Sequence, residues 1–204
     1  DVDPAVAKAP FRPRPPLPGG PEGMWSNYAE PNQLFENDGT GIFAEVNDKA
    51  GPFASQVEVS RGLAFGDIDE DGDVDMVLSN IDNSVRFYRN RAPKEGRHWL
   101  SVRAMTGKRD ALGAQLWLKA GEREFRGLVL PGSSYCSSND PRVHFGLGTI
   151  TGADELVVQW PDRQRESFSV PGLDQAITAP LAANDTRRAA YVSALAVGVG
   201  LLAA

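Results

Sequence analysis

Apolar residues recur along this chain in short runs with a period near two, and turn-forming residues interrupt them every few positions. Leu156, Val158 and Trp160 alternate with Val157 and Gln159, and Val143 and Phe145 flank His144. Residues 115–118 (QLWL) and 125–130 (FRGLVL) are further short β-type runs. Between them lie Ala120-Gly121, Pro131-Gly132, Asn139-Asp140-Pro141, Thr151-Gly152 and Pro161-Asp162. Several short strands at this spacing predict a sandwich-like or barrel-like β-domain over residues 93–180.

The same period appears upstream. Leu34-Phe35, a tight Asn37-Asp38-Gly39 turn, then Ile42-Phe43 and Val46 predict a hairpin. Residues 63–66 and 75–78 are apolar runs bounded by glycine and acids, and they read as buried strands on either side of one loop. In residues 83–90, Val85 and Phe87 share one strand face and Arg86 and Tyr88 the other. The expected fold class is all-β.

The two ends follow other patterns. Seven of the fifteen prolines fall within the first 21 residues. Proline fixes φ and removes a donor, so residues 1–29 should form an extended, polyproline-like linker. A chain opening on such a linker is expected to be a processed or excised piece of something longer. At the other end, residues 189–204 are apolar apart from Ser193 and the Tyr191 hydroxyl, and follow Arg187-Arg188. We expect a tail over 181–204 ending in a short apolar helix. Sixteen helical residues span about 24 Å against a bilayer core of about 30 Å. Hydropathy leaves a membrane anchor through 189–204 and a helix packed on the body equally open.

Charge narrows the partners. The chain has 27 acidic and 21 basic residues, a net charge of −6. Six of those acids lie among the nine residues 67–75: Asp67, Asp69, Glu70, Asp71, Asp73 and Asp75. Setting them aside leaves 21 acids against 21 bases, so the whole imbalance sits in one loop. No basic patch for nucleic acid is apparent, and the loop calls for a cation instead. Cys136 is the one cysteine, which rules out a disulfide framework within the chain and a multi-cysteine metal site. It reads as a small apolar residue without a catalytic role.

Within the loop the acids alternate as D-x-D-x-D-G-x-x-D. Carboxylates at positions 1, 3 and 5 (Asp67, Asp69, Asp71) supply the hard oxygens that calcium takes in flexible geometry. Gly72 at position 6 permits a sharp turn. Asp73 adds its peptide carbonyl at position 7, and Asp75 at position 9 closes the set. An EF-hand needs a glutamate at position 12 and a helix on either side. Position 12 is Leu78, and both flanks read as strands. The expectation is a strand–loop–strand Ca2+ site formed by Asp67, Asp69, Asp71, Asp73 and Asp75.

The order N-x-L-F-x-N-D-G-x-G-x-F, then G-D-x-D-x-D-G-D-x-D, then F-Y-R-N resembles the FG-GAP/VCBS-type calcium-binding repeat over residues 30–92. That resemblance implies a partial β-propeller blade. Downstream, HWL, RDALGAQ, GSSY, DPRVHFGLG and VVQWPD resemble the ASPIC/UnbV domain, which follows such repeats in the cartilage acidic protein-like family. It implies a non-catalytic, secreted, periplasmic or cell-surface adhesion module that meets a protein or carbohydrate partner. An accessory or enzyme role in a bacterial biosynthetic pathway is the other reading the resemblance implies, and the apolar stretch 189–204 keeps open a membrane-tethered surface protein. A closed propeller needs about four blades of four strands, more than this chain holds.

The remaining candidates read as structural. His98 and His144 lack carboxylates or cysteines at ligand spacing. Ser133, Ser134, Ser137 and Ser138 have no G-x-S-x-G elbow around them. Trp99, Trp117 and Trp160 are expected in the core, and Trp25 with Tyr28 either packs onto the blade or stacks on a partner. Arg109 and Asp110 read as a surface pair in a connecting turn.

Overall fold

Short β-type runs become strands along most of the chain. The computed structural model describes residues 5–6, 13–38, 40–91, 93, 95–182 and 193–194. The protein divides into two compact units: residues 1–69, 73–91 and 132–139 form the first, and residues 70–72, 92–131 and 140–204 the second. The chain is therefore not cut once. One short segment from each linear half belongs to the other's unit.

In the first unit the expected hairpin forms. Strand Gln33–Asn37 pairs antiparallel with Phe43–Glu45, with Phe35 opposite Glu45 and Asn37 opposite Phe43. The turn is wider than a two-residue loop because side chains organise it. Asp38 accepts bonds from the Thr40 hydroxyl and N–H at 2.7 Å each, which hold its carboxyl below the usual range. A two-residue strand, Ala5–Val6, adds to the hairpin within the expected linker. Further along that segment, Gly23–Tyr28 form a 3-10 turn in which Trp25 and Tyr28 meet edge to face at 6.0 Å.

A second sheet orders Ser60–Gly66, Asp75–Asn80 and Arg86–Tyr88 side by side, all antiparallel. Leu63 and Leu78 are directly opposite and buried, and they pack with Phe53 and Ala54 of the four-residue helix Pro52–Ser55. The third strand alternates as expected, but its polar face is the one turned inward. Val85 and Phe87 are 64% and 53% exposed. Tyr88 packs edge-on against Phe53 at 5.5 Å, and Arg86 meets buried Glu58.

The second unit is built from two sheets that share one core. His98–Thr106 is central in the first: it pairs parallel with Gln175–Pro180 and antiparallel with Val143–Gly148 and Arg109–Asp110. The second sheet runs Arg123–Leu128, Gln115–Ala120, Glu155–Gln159, Arg165–Phe168. Leu100, Val102, Phe145 and Ile177 from the first meet Leu116, Leu118, Leu156 and Val158 from the second in one buried cluster. The alternation read for 143–145 and 156–160 is the alternation of burial. A two-sheet core is thus what the period-two pattern builds here, and the described residues are mostly β, with no closed barrel among them.

Two of the three tryptophans expected in the core are not there. Trp160 is buried against Phe168. Trp117 lies between Leu116 and Leu118, which take the inward positions, so strand geometry turns it outward, where the Arg165 guanidinium covers its ring at 5.1 Å. Trp99 precedes inward-facing Leu100, so strand alternation turns it to the other face, where it stacks on His144 with centroids 5.7 Å apart. The apolar helix expected over 189–204 lies outside the described residues, except for Ser193–Ala194, a two-residue strand paired with Ile177 and Thr178. Among the described residues no helix is long and apolar enough to cross a membrane.

Candidate metal centre

The acidic loop joins two paired strands, as its apolar flanks require. Gly66 is opposite Asp75, Phe65 opposite Met76 and Ala64 opposite Val77. The ladder closes the neck, and residues 67–74 form the loop without helix or strand. Two of its residues take left-handed backbone, Glu70 at φ +56° and Gly72 at φ +91°. Gly72 is needed for a second reason: a Cβ there would come within 2.5 Å of Trp99 Cδ1 and closer still to Nε1 and Cε2. The loop therefore passes directly against the face-stacked Trp99–His144 pair.

This geometry brings Asp67, Asp69 and Asp71 together. Each offers one carboxylate oxygen, and the three oxygens lie within 4.8 Å of one another. Asp67 is buried, Asp71 half-buried and Asp69 exposed. Three like charges at that spacing repel by about 3 kcal/mol per pair at an effective dielectric near 20, less for exposed Asp69. Part of that repulsion is met by Arg89, whose guanidinium pairs with Asp69. Glu70 lies 3.5 Å from Arg142, which also holds Asp140 at 2.6 Å. The donor set is three hard oxygens converging from alternate residues, so the residues fit a calcium-type cation, which completes its shell with carbonyls and water.

Asp73 and Asp75 are not among the three converging residues. Asp75 is 1% exposed, and both of its carboxylate oxygens accept backbone hydrogen bonds. Its Oδ1 accepts the Asn90 N–H at 2.9 Å and its Oδ2 the Ile68 N–H at 3.3 Å. It ties the start of the loop to the chain beyond the third strand, and so fixes where Asp67 and Asp69 can stand.

The serine-rich segment 132–139 is also explained by backbone bonding. Strand Ser60–Gly66 is an edge strand of its sheet. Ser137 Oγ donates to the Leu63 carbonyl at 2.8 Å, and Asn139 Oδ1 accepts the Phe65 N–H at 3.0 Å. Asn139 in turn donates to Ser133 Oγ at 2.7 Å. Side chains thus stand in for a missing neighbouring strand and cover an edge that would otherwise invite pairing. Cys136, at the centre of this cap, is exposed and sits at φ +52°.

The histidines gain partners that spacing along the chain did not show. His98 Nδ1 is 2.8 Å from Asp174, whose other oxygen accepts the Trp99 N–H at 3.1 Å. Asp110 pairs with Arg103, at 2.7 Å from Nε, rather than with Arg109. Adjacent strand residues point to opposite faces, so Arg109 cannot reach its neighbour. The Arg103 hydrogen bond holds the Asp110 carboxyl below its usual range.

One buried polar centre leaves no mark in the local sequence pattern. Glu58, with its side chain 4% exposed, accepts Arg86 Nε at 3.0 Å and Nη2 at 2.5 Å, Asn80 Nδ2 at 2.9 Å and Asn83 Nδ2 at 2.9 Å. Val57-Glu58-Val59 looks like simple alternation with Glu58 outward, so no local signal marks it. Burial and proximity to Glu58, in that order, push the Tyr88 phenol up from its usual value.

Comparison with known proteins bears on the second unit. Residues 104–185 match the family model described as ASPIC and UnbV. The matched stretch includes the edge-capping segment 132–139 and excludes the acidic loop. No curated protein matches the chain.

Proposed function

We propose that this chain, which carries an ASPIC/UnbV domain over residues 104–185, is a calcium-stabilised binding module without catalytic activity. One observation carries the reading: the carboxylates of Asp67, Asp69 and Asp71 converge within 4.8 Å at the neck of a β-hairpin. A divalent cation there relieves their repulsion and clamps the paired strands. Asp73 through its peptide carbonyl and Asp75 at the strand entry complete the proposed ligand wall. Arg89 is the competitor, since it already pairs with Asp69.

On this reading residues 30–92 are an FG-GAP/VCBS-type repeat, and the three-stranded sheet is part of a propeller blade of the kind found in the cartilage acidic protein-like family. Free calcium is scarce in cytosol and abundant outside, which favours a secreted, periplasmic or cell-surface setting and an adhesion role toward a protein or carbohydrate. The test is calorimetric titration with calcium and magnesium, joined to thermal melts of wild type and Asp69→Ala. Calcium at 100 times its Kd should add about 2.7 kcal/mol to the folded form, and the substitution should remove the gain. Superimposable wild-type melts in calcium and in chelator would overturn the proposal.

A further inference from the structure

We propose that the outer face of the four-stranded sheet in the second unit is a docking surface for an extended peptide carrying an apolar side chain and a carboxylate two positions apart. The strand registers lay this face out in rows. Leu128, Gln115, Gln159 and Arg165 stand side by side across the four strands, and Arg126, Trp117, Val157 and Ser167 form the next outward row. The row between them, which includes buried Leu116 and Val158, points the other way, into the core.

Charge selects the partner first. Lys119 pairs with Glu155 at 3.1 Å and Arg126 with Glu124 at 3.0 Å, so these four charges of the face cancel. Arg165 is left over. Its Nε donates to the neutral Gln159 Oε1 at 2.8 Å, and its guanidinium lies 5.1 Å over the Trp117 ring. Neither neighbour carries a negative charge, and Arg165 has no ion pair among the described residues. The adjoining turn adds Asp162 and Arg163, which leave the balance unchanged. Nη1 and Nη2 have no acceptor among the described residues. An exposed arginine that is stacked on one face and tied at one nitrogen presents a pre-oriented fork with its positive charge uncompensated. The complement of that fork is a carboxylate.

Apolar surface selects the second group. The pairing of strand Arg123–Leu128 runs on to Val129, whose N–H donates to the Ala114 carbonyl at 2.9 Å. Leu128 and Leu130 therefore share the outer face on either side of buried Val129, 47% and 54% exposed. Leu128 and Trp117 are diagonal neighbours on paired strands, a separation of about 7–8 Å. In an extended chain, side chains i and i+2 lie on one face about 7 Å apart. A peptide laid on the sheet thus seats an apolar side chain at Leu128 and a carboxylate at the fork above Trp117. Exposed Gln115, opposite Leu128 and Gln159 and without a hydrogen bond among the described residues, offers a donor and an acceptor to the peptide backbone. A sugar fits less well, because Arg165 takes the ring face on which it would stack.

The experiment follows the Trp117 indole Nε1–H resonance, identified by its absence in Trp117→Phe, in the full 204-residue chain. The probe is acetyl-Asp-Ser-Leu-Ser-Asp-amide, which offers the carboxylate in either chain direction. The comparison probes are the same peptide with both Asp replaced by Asn, the same peptide with Leu replaced by Ser, and glucuronate. The first peptide should give a saturable shift, and the other three should not. Arg165→Gln should weaken binding roughly tenfold, and Leu128→Ser with Leu130→Ser should weaken it too. All three side chains are exposed, so the melting temperature should stay near that of wild type. No saturable shift, equal binding of either altered peptide, saturation by glucuronate, or undiminished binding by Arg165→Gln would each overturn the proposal. It gives the binding module a recognition face without resting on the acidic loop: melts in calcium and in chelator decide the calcium site, and these titrations decide the peptide site.

Discussion

Replacing Gly72 by alanine tests how the acidic loop is seated. Two separate costs are expected. Alanine at φ +91° sits in left-handed backbone, which costs an L-residue about 1–2 kcal/mol. The new methyl also falls within 2.5 Å of Trp99 Cδ1, far inside van der Waals contact. Trp99 cannot simply swing away, because its ring stacks on His144 at 16° and its backbone N–H is bound to Asp174. Forcing extra volume into such a site costs about 1–3 kcal/mol more. The sum is a loss of about 2–5 kcal/mol. Gly121→Ala is the matched control: Gly121 has φ +60° and nothing within 4 Å of the built Cβ, so only the backbone cost applies. Urea unfolding followed by tryptophan fluorescence should show Gly72→Ala as the weaker protein by the steric difference. Equal destabilisation of the two variants would mean that the loop does not rest on Trp99, and the reasoning about its seat would fail.

Two further predictions concern the parts around that loop. Removing the side chains that cap the edge strand, by Ser137→Ala with Asn139→Ala, should cost about 1 kcal/mol for each lost hydrogen bond and increase self-association, read by chemical denaturation and by light scattering. Unchanged stability and scattering would show the segment to be a passive loop. For Asp110, the folded carboxyl titrates below its ordinary value of 3.8 because Arg103 donates to it. Its contribution to stability is therefore complete above that value and is lost as pH falls through the lower folded value. Acid titration should find Asp110→Asn less stable than wild type near neutral pH, with the gap closing in acid; a constant gap would remove the ion pair from the account.

The edges of the three-stranded sheet show how this chain handles exposed backbone. One edge, at Ser60–Gly66, is covered by Ser137 and Asn139. The other edge strand, Arg86–Tyr88, presents Val85 and Phe87 on its solvent face while Arg86 and Tyr88 turn inward. The inversion has an energetic basis. A buried glutamate needs a guanidinium more than the core needs one valine, since an unpaired buried charge costs far more than an exposed methyl.

Local pattern was enough for the strands and for the turn. The alternation at 143–145 and 156–160, the apolar flanks of the acidic loop and the hairpin at 33–45 are all written in neighbouring residues, because strand period and turn sterics act over a few covalent bonds. The one-three-five spacing of Asp67, Asp69 and Asp71 is legible for the same reason, and those three carboxylates do converge. What stayed hidden depends on residues brought together from far apart. Ser137 meets Leu63 across 74 positions, Glu58 meets Arg86 across 28, and His98 meets Asp174 across 76. Trp117 faces outward against its hydrophobicity, because hydrophobicity says only that a side chain favours burial, while the register of the strand decides which face it occupies. Sequence alone set the period and the charge of each element; only the tertiary fold chose partners, since pairing energy depends on distance in space and on burial, neither of which exists until the sheets close.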